Sequence, residues 1–477
     1  MLRFYKVNDP YRLIFLFLLA LVLRIPFYWN GIEALSPDLH YMLIGEHLSS
    51  GFTLYQDLWA NIGPFSAYFF SMMDWLFGRS ILSYHIIGFM LMMLQAILFN
   101  RLALINKIYT ENNFVPAVIY VLLMSLSVDM FAVSPIMLSN TFILLAMNHI
   151  FGQVEFRAKR DEKILNIGIY LGVASLFYFP SLLYGLISIV GLALFSGTII
   201  RRYFLILFGL VLPLAVTATY YFAMDTLNEV IQVFFSSWFQ DVKFQMSTKS
   251  ILLIFTIPLV FLLSSIYRVI QGSRFSNYQS RIAQLMTFWL FFSLFILLMS
   301  KSGPADFVVF IPGIAYFISQ YFILSKKGIL SELSFTLFFF AIVGVSYAAS
   351  FGWFGLSKHI DYSPLVLRDT KYTNLLNRQK LWVIGDELQY YKTAQLGTKY
   401  YDWKIAEKFL FNNDDDVLST SLIYENITTY KPDVIIDLED RLVPYLERMP
   451  LVKAIYDPLE KGVYVRKGYE LKPVTND

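Results

Sequence analysis

Long apolar runs separated by short polar clusters fill the chain from its first residues to about residue 351. Runs of about 18–25 residues with almost no charge are long enough to cross a hydrocarbon core of ~30 Å as helices. The pattern predicts about eleven such helices, near 13–30, 80–100, 114–132, 135–152, 164–179, 181–198, 203–224, 250–267, 283–300, 305–324 and 331–351. The apolar stretch at 64–78 is shorter and carries Asp74, so it reads as a juxtamembrane or re-entrant helix. No small-x-small cleavage site follows the first run, which is expected to be an uncleaved membrane helix.

Positive charge orients these helices. With the N-terminus inside, the cytoplasmic segments hold Arg3, Lys6, Arg12, Arg101, Lys107, Arg157, Lys159, Arg160, Lys163, Arg201, Arg202, Arg268, Arg274, Arg281, Lys326 and Lys327. The opposite short loops hold little beyond Arg79, Lys243, Lys249 and Lys301. An odd number of spans then places the C-terminus outside.

After residue 351 the period changes. Short apolar runs (Leu381–Ile384, 433–437, and β-like 452–456 and 462–465) alternate with helical stretches near 403–411 and 417–430. That alternation predicts a small external α/β domain over 352–477, after a helical membrane domain over 1–351. Asn426-Ile427-Thr428 is a formal glycosylation sequon of little weight.

Composition agrees with this division. The chain is 57% hydrophobic and 15% charged with a mean hydropathy of +0.55, against about 25% charged in soluble proteins. A net charge of +3 without basic tracts argues against nucleic acid, and the absence of cysteine excludes disulfides and thiolate metal sites. Nucleotide-binding, zinc-protease and nucleophile-elbow motifs are absent.

The candidate chemistry lies in the first outside loop, 31–79. It carries Glu33, Asp38, Glu46, Asp57 and Asp74, and no Lys or Arg before Arg79. Such a carboxylate-rich loop suits a general base or a divalent cation. Asp38 follows Ser36-Pro37 at the start of an amphipathic run, which also reads as a helix start with Ser36 as cap. The helix dipole favours a carboxylate there, and a carboxylate is what a base must be. Arg24, near the outer end of the first span, either snorkels or pairs with an anion such as phosphate. Lys301 and Lys243 are loop cations, Asp57 and Asp129 further acids, and 225–249 reads as an interfacial amphipathic helix.

The order of features resembles a known family. An Asp soon after the first span precedes an amphipathic helix, then Gly-Phe-Thr-Leu-Tyr-Gln-Asp-Leu-Trp, Gly-Pro and Leu-Phe-Gly-Arg-Ser opening the next span; Leu23-Arg24-Ile25-Pro26 lies ahead of them. This resembles the GT-C glycosyltransferases, in particular their protein O-mannosyltransferase and aminoarabinose-transferase-like branch. The resemblance is strongest over about residues 13–100. It implies a hexosyl- or pentosyltransferase that takes a sugar from a polyprenyl-phosphate-linked donor and passes it to a glycan, lipid or protein acceptor at the outer face of a bacterial inner membrane. It gives Asp38 the role of general base. Arg24, Lys301 and Lys243 are then candidates for the donor phosphate, and His40, Asp57 and Asp129 for supporting the acceptor or a divalent cation. The family usually has Asp-Glu where this chain has Asp38-Leu39, with His40 two positions beyond Asp38. Two rivals remain: a non-catalytic scaffold of an envelope assembly, and a lipid or sugar transporter or flippase.

Overall fold

The computed structural model describes all residues except 32–33, 157–159, 197–198, 236–245, 272–275, 299–302, 326–327, 412–415 and 470–477. Helix occupies part of every predicted membrane segment. Among the described residues eight helices are long and apolar enough to cross a membrane: Arg12–Trp29, Ile81–Ile105, Pro135–Val154, Ile200–Ala223, Thr248–Ile270, Asn277–Leu298, Pro304–Leu324 and Ile329–Phe351. The other three segments hold the shorter helices Val115–Leu123, Asp161–Phe177 and Phe179–Phe195. Val115–Leu123 has nine residues, all buried, and rises only about 14 Å. The apolar run continues beyond it, but the backbone leaves the helix and re-forms as a 3-10 turn at Val128–Met130. Hydropathy registers the run and not the break.

The chain divides into two compact units. The helical unit comprises Met1–Ile32, Ile81–Thr219 and Asp241–Leu365. Its helices approach closely where side chains vanish. A Cβ on Gly168 would strike the Ile206 carbonyl and the Gly209 backbone, and one on Gly209 would strike the Leu165 carbonyl. Helices Asp161–Phe177 and Ile200–Ala223 therefore cross backbone to backbone, as small residues permit in membranes. A buried polar network ties three more helices together. Tyr120 donates to Gln95 Oε1 at 2.8 Å, Asn140 Nδ2 donates to Tyr120 at 2.8 Å, and Gln95 Nε2 donates to the Met137 carbonyl at 2.6 Å.

The second unit comprises Glu33–Ser80, Tyr220–Gln240 and Val366–Asp477. At its centre is a five-stranded sheet of order β2-β1-β3-β5-β4, with β1 Lys380–Ile384, β2 Gln395–Leu396, β3 Val434–Asp437, β4 Tyr456–Glu460 and β5 Val463–Arg466. β1 pairs in parallel with β2 and β3, which requires a crossover, and helix Asp416–Tyr430 lies in the connection from β1 to β3. β1 and β3 are buried almost throughout, as continuous apolar runs in a parallel sheet should be. The expected strand at 452–456 is displaced: Pro450–Lys453 is a helical turn and β4 begins only at Tyr456. Pro458 is tolerated because β4 is an edge strand. Asn426 of the sequon is fully buried and its amide oxygen accepts from Thr398 and Lys399, so folded protein does not present it for glycosylation.

Residues 33–80 form two helices in this unit, Ser36–Ser49 and Pro64–Phe77. They meet at Gly45, where a Cβ would strike the Phe70 carbonyl. Asp74 accepts a hydrogen bond from Ser49, so its charge sits on the face turned to the partner helix. The opposite face, with Phe65, Tyr68, Met72 and Trp75, is exposed.

Candidate functional site

Asp38 lies in the first turn of helix Ser36–Ser49 and is 3% exposed. The helix starts differently from expectation. Ser36 is its first residue and not its cap; the cap is Leu35, in extended conformation, whose side chain makes no capping bond. Instead the backbone is tied down: Leu35 forms an antiparallel bridge with Val366, and the Leu367 amide donates to the Ala34 carbonyl at 3.1 Å. Pro37 fits the first turn, where its missing N–H leaves nothing unpaired.

His40 is two positions along the helix, about 200° around it. Its ring stacks on Tyr401 at 5.3 Å between centroids, and its Nδ1 is 2.9 Å from the Tyr401 hydroxyl. Burial first, then nearby Tyr391, Asp402 and Asp386, pushes that hydroxyl well above the usual tyrosine range, so it stays protonated. Farther along, half-buried Glu46 pairs with Arg79 and accepts from Gln395 Nε2 at 3.2 Å. Buried His47 stacks on Phe52 at 4.1 Å, with its Nε2 3.2 Å from the Asp57 carbonyl. Burial pushes its imidazole down to about 4, against the opposing pull of Asp57.

Asp57 is half-buried. Its carboxylate accepts from the Thr53 amide at 2.9 Å, the Thr53 hydroxyl at 2.6 Å and the Tyr430 hydroxyl at 3.1 Å. Burial alone would raise its pKa, but these hydrogen bonds outweigh burial and hold it below the usual carboxylate range. Next to it, Tyr55 takes a left-handed backbone (φ 68) and is fully buried, its hydroxyl donating to the Ile62 carbonyl at 2.7 Å. The strain closes the tight turn in which the Tyr55 amide bonds the Leu58 carbonyl.

In the helical unit, Arg24 is 1% exposed, so it does not snorkel. Its Nη1 donates to the carbonyls of His85 at 3.4 Å and Phe131 at 3.3 Å, and its guanidinium lies 4.4 Å from the Phe131 ring centroid. Its Nε is buried without a hydrogen-bond partner among the described residues. Asp129, also buried, accepts from the Ala305 amide at 2.7 Å and so holds the turn beginning at Pro304. Tyr362 lies beside it; burial and then the Asp129 charge push its hydroxyl upward. Lys243 and Lys301 lie outside the described residues.

The described residues bring no three His, Asp or Glu side chains together. The sequence reading gives Arg79 no role. The signal was present, since it is the first base after five loop acids, but its partners lie in the distant C-terminal segment.

No protein-family model matches the chain, and a search of curated proteins finds no match. Among solved structures, the ArnT of Cupriavidus metallidurans in its apo state is similar at 12% identity, covering 91% of this chain and 94% of that one with a TM-score of 0.55. A second structure of that ArnT, bound to undecaprenyl phosphate, matches at 13% identity over 67% of this chain and 61% of that one, with a TM-score of 0.46. The Archaeoglobus fulgidus oligosaccharyltransferase in complex with zinc and sulfate matches at 12% identity over 95% and 72% respectively, with a TM-score of 0.46. The match to apo ArnT runs nearly end to end and shows the fold: a GT-C-like helical membrane protein with a small sheet domain.

Proposed function

We propose that the chain is an integral membrane glycosyltransferase that moves a hexose or pentose from a polyprenyl-phosphate-linked donor to a hydroxyl of a glycan, lipid or protein acceptor. The observation that carries the reading is Asp38, buried in the first turn of the first loop helix of a GT-C-like fold. The Asp38 carboxylate takes the acceptor's hydroxyl proton. The acceptor oxygen bonds to the anomeric carbon as the bond from that carbon to the phosphate oxygen breaks, and polyprenyl phosphate leaves. A positioned base contributes roughly 10²–10⁴ in rate.

Negative charge grows on the departing phosphate and calls for cationic donors. Arg24, Lys301 and Lys243 are assigned that role, and the unpartnered Nε of Arg24 supports its inclusion. His40, Asp57 and Asp129 support the surrounding loops. The reaction face is the outer face of a bacterial inner membrane, with the N-terminus cytoplasmic and residues 352–477 outside; the bias of Lys and Arg between loops supports this orientation.

The test is transfer from radiolabelled lipid-linked sugars by purified protein, wild type against Asp38→Asn, with and without divalent cation. The expected result is a fall of at least about 100-fold in the variant. Equal transfer by both proteins removes Asp38 from the chemistry.

A further inference from the structure

We infer that residues 366–401 form a frame that sets the Asp38 helix in place, with Arg79 as its pin and a positioning residue for transfer; this rests on the reading of Asp38 as base. The inference comes from where the helix is held. Helix Ser36–Ser49 is about 21 Å long, and C-terminal residues hold it at three levels. Its cap, Leu35, is bridged to Val366, and Ala34 to Leu367. Its second turn is held by the His40–Tyr401 stack and hydrogen bond. Its last turns are held through Glu46 by Arg79 and Gln395.

Arg79 does what no other side chain can do there. Its Nη1 donates to the carbonyls of Tyr391 at 3.1 Å and Lys392 at 3.2 Å. Its Nη2 donates to the Ala394 carbonyl at 2.9 Å and to Glu46. The three carbonyls belong to the turn that leads directly into β2. β2 is paired with β1, so the turn is anchored to the sheet. The planar guanidinium presents donors in a fixed fork, whereas a lysine ammonium is a point charge on a flexible stem and cannot bridge all four acceptors. The path from sheet to β2, Arg79, Glu46 and the Asp38 helix stays inside one compact unit. A base misplaced by 1 Å can lose about 10²-fold in rate, so a frame of this kind bears directly on turnover.

The experiment uses the full chain in lipid nanodiscs, comparing wild type, Arg79→Ala and Arg79→Lys. Three quantities are read: amide exchange across 36–49, carbodiimide labelling of the Asp38 carboxylate by mass spectrometry, and kcat with the KM for lipid-linked donor. In Arg79→Ala, exchange and labelling should rise about fivefold or more. Its kcat should fall about tenfold or more, with KM within about twofold. Arg79→Lys should be intermediate, because it keeps the charge and loses the fork. Where Arg79→Ala does not fold, Gln395→Ala removes one bond to Glu46 and should give a smaller rise in exchange and labelling. Unchanged exchange and labelling would overturn the frame, and so would a loosened helix with undiminished kcat. A wild type that transfers from no donor defeats the glycosyltransferase reading; exchange and labelling then still decide whether Arg79 holds the helix.

Discussion

Two arginines, one at each end of the link between the first and second spans, solve the same problem in different surroundings. Arg24, in the helical unit, is buried among aromatic rings and is held by backbone carbonyls without a carboxylate among its hydrogen-bond partners. Arg79, in the sheet-containing unit, is half-buried and combines a carboxylate with three carbonyls. A charge in apolar surroundings is costly, and carbonyl dipoles and ring faces offset part of that cost. A half-buried charge keeps some hydration, and its fork can join two pieces of chain. The first arginine gathers a loop around a charge; the second fastens a helix to a sheet.

The contrast can be broken most directly at Arg24. Arg24→Ala removes its hydrogen bonds to the His85 and Phe131 carbonyls and leaves a cavity, and should cost about 4 kcal/mol. Thermal unfolding in detergent measures this, and an unshifted melt would mean that the carbonyls find other donors. If the free Nε also holds the donor phosphate, the KM for donor rises in Arg24→Lys, which keeps the charge.

The sheet-containing unit should be the acid-sensitive half. The folded-state pKa of His47 is about 4, below the unfolded value of about 6.5, so the unfolded chain takes the proton first as pH falls. Stability from this group is complete above about pH 6.5 and falls toward about pH 4, by about 3 kcal/mol in total. Asp57 is held below the usual range, so its contribution is present above its unfolded value and is lost at lower pH still. His47→Phe should flatten the pH dependence of unfolding between pH 6.5 and 4. A profile identical to wild type would place the acid sensitivity elsewhere.

Crowding tests both halves alike. Gly45→Ala drives a methyl into the Phe70 carbonyl, and Gly88→Ala drives one against the backbone of Phe131, Ala132 and Val133. Each should cost about 2 kcal/mol. The first should loosen only the loop helices and the second only the Arg24 surroundings, as resolved by amide exchange.

The smallest expected effect is at Asp129. Asp129→Asn keeps an oxygen for the Ala305 amide and loses only the charge, about 1 kcal/mol. A much larger loss of transfer than of stability would promote Asp129 from support to chemistry.

Much of the fold was legible because it is dictated locally. The apolar runs, strands β1, β3 and β5, helix Asp416–Tyr430 and the acidic loop can all be read from period and composition. The failures have physical causes. The helix at Val115–Leu123 stops inside an apolar run, because residues protected by neighbouring helices need not continue as a span. β2 has two residues and leaves no period. At 450–456 the β-like residues follow Pro450, which suits the first turn of a helix and delays the strand. Ser36 was an apt cap by type, but the Leu35–Val366 bridge supplies the start instead.

The sequence by itself determined that this chain crosses a membrane and carries a carboxylate-rich loop with Asp38 at a helix start. Hydrocarbon demands about 20 consecutive apolar residues, and that demand is written residue by residue. Only the tertiary structure decided what holds the Asp38 helix. The Arg79 guanidinium finds its carbonyls more than three hundred positions along the chain, and a bond to backbone carries no signature in the side chains that accept it.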